Sequence, residues 1–366
     1  MAFFASKAAA AQTPFHGQLT PDLGMISVYD CVIVGAGMAG LTAGRTLQAQ
    51  GWSVVILDKA RGPGGRMATR RFGPEGLPPG VFDHGAQYVT ATDPHFADWV
   101  ATAEQAGHLK IWCGERAGED VTKARYCGTT GMTAFPKALA AGLRIHYSQR
   151  VIQVLATAQG WQVIPEAGEP YTSRFLLLTA PVPQSVALLT ASGLAVPPDL
   201  TAVTYSRCLT VMAYLSSASE IPAPGYVGDP PAPLVWIADN QQKGVSSAPT
   251  LTLQADPSFS LVHWDDIDDR IVEHLTQAAG RWLKDSCILM TQVQRWRYSL
   301  VTQPHPAPFA ALATPHPLVL AGDGFAAGRV EGAFQSGQAA AAYLVSTSRA
   351  GQGESALGQS EPPTRS

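Results

Sequence analysis

The sequence predicts a two-lobed α/β fold, and three observations carry the expectation. Residues 29–34 form a short apolar run ended by glycines, residues 38–50 read as a helix, and residues 53–57 are a second apolar run, which together make a βαβ unit. Near the other end of the chain, residues 318–322 read as a buried strand that passes through a glycine turn into a helix over 332–344. The chain has 366 residues, 46% of them apolar and 14% charged, which suits two lobes or one elaborated α/β domain with a sizeable core.

Between these ends the elements follow from local pattern. A glycine-rich turn covers 62–65, and residues 81–90 read as an extended segment lined by small side chains. Apolar residues at helical spacing predict helices over 94–105 and 132–141, the second after turn residues at 128–131. Strand-like pieces at 144–155, 160–165 and 173–179 suit a small meander, which Pro181 and Pro183 should stop. From about residue 186 the reading is a helix, strands at 208–215, 234–238 and 250–255, and a helix over 266–283.

Composition excludes several classes. A formal net charge of −3 with no concentrated Lys/Arg stretch leaves no footprint for a nucleic-acid backbone. Cys31, Cys113, Cys127, Cys208 and Cys287 are odd in number and far apart, without zinc or disulfide spacing, so a reducing, cytoplasmic setting fits. No apolar run approaches the roughly 20 residues that span a bilayer. The histidines show no metal-ligand spacing, and Asp265, Asp266, Asp268 and Asp269 read as the solvated start of a helix, so no metal is expected.

The strongest local signal is Gly35-Ala36-Gly37-Met38-Ala39-Gly40 between a strand and a helix, with Asp58 at the end of the next strand. Gly35 allows the tight turn, Gly37 lets a pyrophosphate approach the backbone at the helix N-terminus, and Gly40 lets helix and strand pack closely. Asp58 would accept from a ribose diol. Gly62-Pro63-Gly64-Gly65-Arg66-Met67 then offers a second glycine turn with a cation, and Arg66 can present a charge-assisted fork to the same diphosphate. Dinucleotide proteins that bind only NAD have no general need of it, so the second turn points to FAD. No cysteine follows Cys287 to make a covalent flavin link near the C-terminal glycine turn, so the FAD is expected to be non-covalent.

The runs GAGMAGLTAGRTLQAQGWSVVILDKARGPGGRMATRR, FDHGAQYVTATDPHF and GTTGMTAFPKALAAGL, the tripeptide Trp296-Arg297-Tyr298 and the terminal LVLAGDGFAAGRVEGAFQSGQAAAAYL resemble the renalase family within the flavin amine-oxidase group. The resemblance implies a two-lobed flavoprotein in which residues 25–90, 142–185 and 299–345 form a discontinuous FAD-binding domain and residues 91–141 and 186–298 a substrate domain. Residues 1–24 then read as a flexible extension and residues 346–366, rich in Gly, Ser, Glu and Pro, as a disordered tail. It implies that Gly322 and Asp323 meet the diphosphate and ribityl chain, that the helix N-terminus at Gly332 and Ala333 faces the flavin pyrimidine edge, and that the Val151 backbone touches adenine. Met38, Ala39, Lys59, Gly65 and Met67 flank these contacts and complete the expected cofactor shell.

By the same resemblance Gly85, Ala86, Gln87 and Tyr88 line the reacting face, where Tyr88 either stacks on a substrate ring or packs in a core. Gln254 stands where renalases commonly have a histidine; it can orient a carboxamide but cannot titrate. The implied activity is oxidation of 2- or 6-dihydro isomers of NAD(P)H, with molecular oxygen as acceptor and hydrogen peroxide as product. Two alternatives remain: a flavin amine oxidase, for which Lys243 in its polar loop is a poor candidate for the lysine under the flavin, and a flavin-binding sensor without turnover.

Overall fold

The computed structural model describes residues 28–114, 124–325 and 327–357, so the expected extension over 1–24 lies outside the described residues. The first part of the chain forms β1 (Val28–Val34), α1 (Met38–Ala49), β2 (Val54–Leu57), β3 (Thr69–Phe72), β4 (Gly80–Asp83), α2 (Pro94–Gln105), β5 (Leu109–Cys113), β6 (Arg125–Gly128) and α3 (Ala134–Ala140). It continues through β7 (Ile145–His146), β8 (Val151–Thr157), β9 (Gly160–Pro165), β10 (Tyr171–Leu178), α4 (Val182–Ala191), α5 (Pro198–Thr201), β11 (Thr204–Tyr205), β12 (Cys208–Leu215), β13 (Tyr226–Val227), β14 (Leu234–Asp239) and β15 (Thr250–Ala255). The last part is α6 (Pro257–Val262), α7 (Asp268–Ala278), α8 (Gly280–Leu283), β16 (Ile288–Trp296), β17 (Val301–Gln303), β18 (Ala310–Leu312), β19 (Leu318–Leu320) and α9 (Arg329–Leu357).

The fold is α/β, with a parallel Rossmann-type sheet beside an antiparallel one. Strands β19, β10, β1, β2 and β7 run parallel in that spatial order, and β8 and β9 add an antiparallel meander through β10. Side chains alternate across a strand, so β1 fills two cores at once. Cys31 and Ile33 pack with Leu41 and Leu47 of α1 and Phe334 and Leu344 of α9, whereas Val32 packs with Leu176, Trp161 and Leu189 on the opposite face. The second sheet has the order β13-β14-β15-β12-β16, and its Leu209, Val211 and Leu253 pack on Ile271 and Leu275 of α7.

Several elements depart from expectation. Helix α4 begins at Val182, ahead of residue 186, because Pro183 sits in the first turn, where its missing N–H leaves no bond unmade. The helix expected over 266–283 is two pieces, α7 and α8, meeting at Ala279 and Gly280. Helix α9 runs to Leu357, so the tail expected to be disordered from residue 346 is helical over its first part, and residues 358–366 lie outside the described residues. The segment 91–141, expected with the substrate lobe, packs on both halves. Its Phe96, Tyr126 and Phe135 join the core behind β1, while Trp112 Nε1 donates to Pro224 O at 2.8 Å.

Candidate active site

Strands β1, β2, β10 and β19 are parallel, so their C-terminal ends open on one edge, and a cleft of about 2820 Å³ lies there. That volume exceeds the roughly 300–1,000 Å³ of a small-ligand pocket and suits a dinucleotide plus a second molecule. Gly35, Gly37, Met38, Ala39, Asp58, Lys59, Gly65, Arg66, Met67, Gly85, Ala86, Gln87, Tyr88, Val151, Gln254, Gly322, Asp323, Gly332 and Ala333 all line it. Of the residues expected at the site, Gly40 alone lies behind the wall. A Cβ on it would stand 1.9 Å from Gly35 O, so this glycine serves the packing of turn on helix.

The first glycine turn is held from beneath. Gly35 has φ +115°, and Thr179 Oγ1 donates to Val34 O and Gly35 O, each at 3.0 Å. Gly37 is different, because a Cβ built on it meets nothing within 4 Å: its missing side chain is open cleft. Across that space a Cβ on Gly65 would come 3.7 Å from Gly37 Cα, so the two glycine turns face each other. Asp58 Oδ2 accepts from Ala36 N at 2.6 Å and Oδ1 from Ala60 N at 2.7 Å, which fixes the carboxylate beside the turn.

The fork that sequence reasoning directs to a diphosphate is instead closed on Asp323. Arg66 Nη1 donates to Asp323 Oδ2 at 2.5 Å and Nη2 to Oδ1 at 2.6 Å, and Nη1 also reaches the carbonyls of Tyr298 and Ser299. Burial opposes the Arg66 charge, but Asp323 more than offsets it. Asp323, expected on a ribityl hydroxyl, therefore holds the second glycine turn to the C-terminal one; Tyr205, whose hydroxyl donates to Asp323 Oδ1 at 3.4 Å, is kept protonated by burial and by that same carboxylate. Helix α9 presents its N-terminal residues to the cleft, with Glu331 clasping the Thr92 and Asp93 N–H groups at 2.6 Å. A Cβ on Gly332 would fall 1.5 Å from Ala327 O, so only glycine closes this turn.

The opposite wall is built on a buried ion pair. Lys243, read from sequence as a poor candidate for the lysine under the flavin because its loop is polar, is fully buried; its Nζ donates to Asp83 Oδ2 at 2.8 Å and to Gln87 O at 2.6 Å and lies 4.7 Å from the centre of the Trp112 ring. Asp83 Oδ1 accepts from Thr69 Oγ1 and Met132 N, so this pair pins the Gly85–Tyr88 segment from behind. Gln254 Nε2 donates to Gly85 O at 2.8 Å, which commits one end of the amide to the wall. His84, read from sequence only among the histidines without metal-ligand spacing, stacks on Trp296 with ring centres 5.2 Å apart, and burial first and the Arg70 charge second hold its pKa down to about 4, against the opposing pull of Asp83. Tyr88 packs beside Trp236, and the Arg125 guanidinium lies 4.6 Å from the Tyr88 ring centre and 5.1 Å from that of Tyr226. Sequence periodicity gave no signal for Arg125, which lies far along the chain from the rings it covers.

Buried side-chain atoms without a partner among the described residues are His84 Nδ1, Gln87 Oε1, Arg125 Nη1 and Trp236 Nε1. All four belong to residues that line this cleft. Buried polar groups are normally paired, so these orphans mark the wall as incomplete without a polar partner, and the open space at Gly37 leaves room for a ligand against the first glycine turn.

Comparison with known proteins agrees with this geometry. Residues 33–103 match the NAD(P)-binding Rossmann-like domain, and residues 95–345 match the flavin containing amine oxidoreductase family. The chain belongs to that family. Membership makes it a flavin-dependent oxidoreductase. The fold of this amine oxidoreductase resembles the crystal structure of a "Putative protoporphyrinogen oxidase" from Exiguobacterium sp. 255-15, with TM-score 0.65 and 13% identity over 87% of this chain and 99% of that one. It is 42% identical over 83 residues to a hydroxyneurosporene desaturase of Rubrivivax gelatinosus and 41% identical over 68 residues to an L-amino acid dehydrogenase of Synechocystis sp.. Those matches cover 22% and 18% of this chain and only 14% and 13% of the relatives. No described helix is long and apolar enough to cross a membrane.

Proposed function

We propose that this amine oxidoreductase is an FAD-dependent oxidase that takes hydride from 2- or 6-dihydro isomers of NAD(P)H, releases NAD(P)+ and passes the electrons to molecular oxygen as hydrogen peroxide. The observation that carries the reading is the charge of the cleft. Lys and Arg side chains along it far outnumber its acids, which among the described residues are Asp58, Asp323 and Glu331. All three acids are already engaged, with backbone N–H groups or with Arg66. A simple amine is a cation near neutral pH and is disfavoured by such a field, whereas the phosphates of a dinucleotide are drawn to it. The aromatic group at Tyr88, Tyr226 and Trp236, which would otherwise suit an alkylammonium, already has Arg125 over its rings.

The side chains fit the chemistry. A dihydronicotinamide becomes aromatic as its hydride departs, so positioning matters more than a base. In this reading Tyr88 and Gln254 would set the ring's rotation, and His84 stays neutral. The bound flavin supplies the two-electron acceptor. Gly35, Gly37, Gly65 and Asp58 would hold its dinucleotide end, the Val151 backbone its adenine, and Gly322 with the α9 N-terminus its ribityl and ring end. Cys208 lies in the cleft wall, but burial pushes its thiol up to about 11, so it is no thiolate for a covalent link.

Anaerobic mixing tests the reading. The 2- and 6-dihydro isomers should bleach the flavin within seconds, ordinary 4-dihydro NADH and benzylamine should not, and oxygen should then restore the yellow colour with peroxide in proportion. Bleaching by the amine but not by the isomers would replace this reading with an amine oxidase.

A further inference from the structure

We propose that Arg70, held in the cleft by Gln292 and Gln294, receives an oxyanion of the substrate, a phosphate of the dihydronicotinamide dinucleotide. The inference rests on the function proposed above and adds the group that would recognise the part of the substrate remote from the reacting ring. A partly buried guanidinium ordinarily closes on a carboxylate, as Arg66 does on Asp323. Arg70 does not. Its Nη1 donates to Gln292 Oε1 at 3.3 Å and its Nη2 to Gln294 Oε1 at 3.1 Å, and no described carboxylate makes an ion pair with it.

Gln292 and Gln294 are two residues apart on β16, so strand period alone places both amides on one face, spaced to meet the two arms of one fork. Gln294 is itself tied by Nε2 to Arg295 O at 3.2 Å. Neutral acceptors orient the guanidinium without cancelling its charge. A surface arginine that merely solvates has no use for such a cradle.

The surroundings keep that charge uncompensated. His84 and Trp296 stand in the same wall, stacked on each other, and His84 Nδ1 is buried without a partner. A neutral His84 adds no second charge beside Arg70. The site is separate from the paired glycine turns at Gly37 and Gly65, since Arg70 lies on β3 against β16 of the second sheet.

The test uses holoenzyme and two readouts. Calorimetric titration with ADP-ribose, which carries the phosphates but no reducible ring, should show binding that Arg70→Gln weakens roughly ten-fold or more, the effect of losing one charge-assisted contact. Gln292→Leu combined with Gln294→Leu should weaken it comparably while Arg70 remains, which guards against a folding defect confined to one variant. In anaerobic reduction, Arg70→Gln should raise the KM of a dinucleotide isomer by a similar factor and leave the phosphate-free riboside of the same isomer unchanged. Equal effects on riboside and dinucleotide, or ADP-ribose binding that ignores Arg70, would overturn the inference. If ADP-ribose binding needs Arg70 but neither isomer reduces the wild-type flavin, the oxyanion site stands and the proposed reaction falls.

Discussion

Arg66 and Asp323 close on each other through two parallel hydrogen bonds of 2.5 and 2.6 Å, joining residues 257 positions apart and locking the second glycine turn to the strand end before α9. Removing the carboxylate leaves the partly buried Arg66 guanidinium with only the Tyr298 and Ser299 carbonyls as partners, and breaking a buried pair typically costs about 3–5 kcal/mol. Asp323→Asn should therefore lower the unfolding free energy by about 3 kcal/mol and reduce flavin occupancy, both read in one denaturant titration followed by absorbance. Arg66→Lys should not substitute, because a single ammonium cannot meet both carboxylate oxygens in the fork geometry. Wild-type stability in both variants would show that the pair contributes nothing.

The two glycines of the first turn should separate folding from binding. A Cβ at Gly40 would lie 1.9 Å from Gly35 O, whereas one at Gly37 meets no protein atom within 4 Å. Gly40→Ala should lower the melting temperature of the flavin-free protein and its flavin content together. Gly37→Val should leave the flavin-free melting temperature almost unchanged while flavin affinity drops at least ten-fold. Normal flavin occupancy in Gly37→Val would remove the first turn from the cofactor site.

How much of this was legible in the sequence depended on range. The βαβ unit and Asp58 were readable because their signal is local: periodicity, glycines and an acid at the next strand end. Strand β16 was not, since Thr291, Gln292, Gln294 and Arg295 break its apolar alternation, and only pairing along the length of β12 makes it a strand. Arg66 and Asp323 were each seen, but no local rule says that they meet. The Lys243 environment looked polar because Asn240, Gln241 and Gln242 flank it. Asp83, 160 positions away, is what makes it a buried ion.

Lys243 supplies a prediction from that buried pair. Its side chain and that of Asp83 are both fully shielded, so Lys243→Met strands a carboxylate in the interior. Stability should fall by about 3–5 kcal/mol. The folded, flavin-loaded fraction should still be reduced by its substrate within a few-fold of the wild-type rate, since Nζ is spent on Asp83, Gln87 O and the Trp112 ring. A loss of several orders of magnitude in that rate at normal flavin content would instead make Lys243 part of the reaction.

His84 should make stability depend on pH in a defined window. Its folded pKa is held to about 4, below the ordinary 6.5, by burial first and Arg70 second. Between those values the unfolded chain binds a proton that the folded chain does not, so stability rises with pH there and is lost as pH falls from about 6.5 toward 4. The full difference corresponds to about 3 kcal/mol. Other groups titrate in the same range, so the readout is the wild-type slope minus that of His84→Phe, which keeps an aromatic ring against Trp296 but carries no proton. Unfolding free energies measured at pH 7 and at pH 4.5 should diverge by about 2 kcal/mol less in the variant than in the wild type, because this window stops short of the folded pKa. Equal slopes would mean that His84 is protonated in the folded protein near pH 6, and the wall beside Arg70 would then carry a second positive charge.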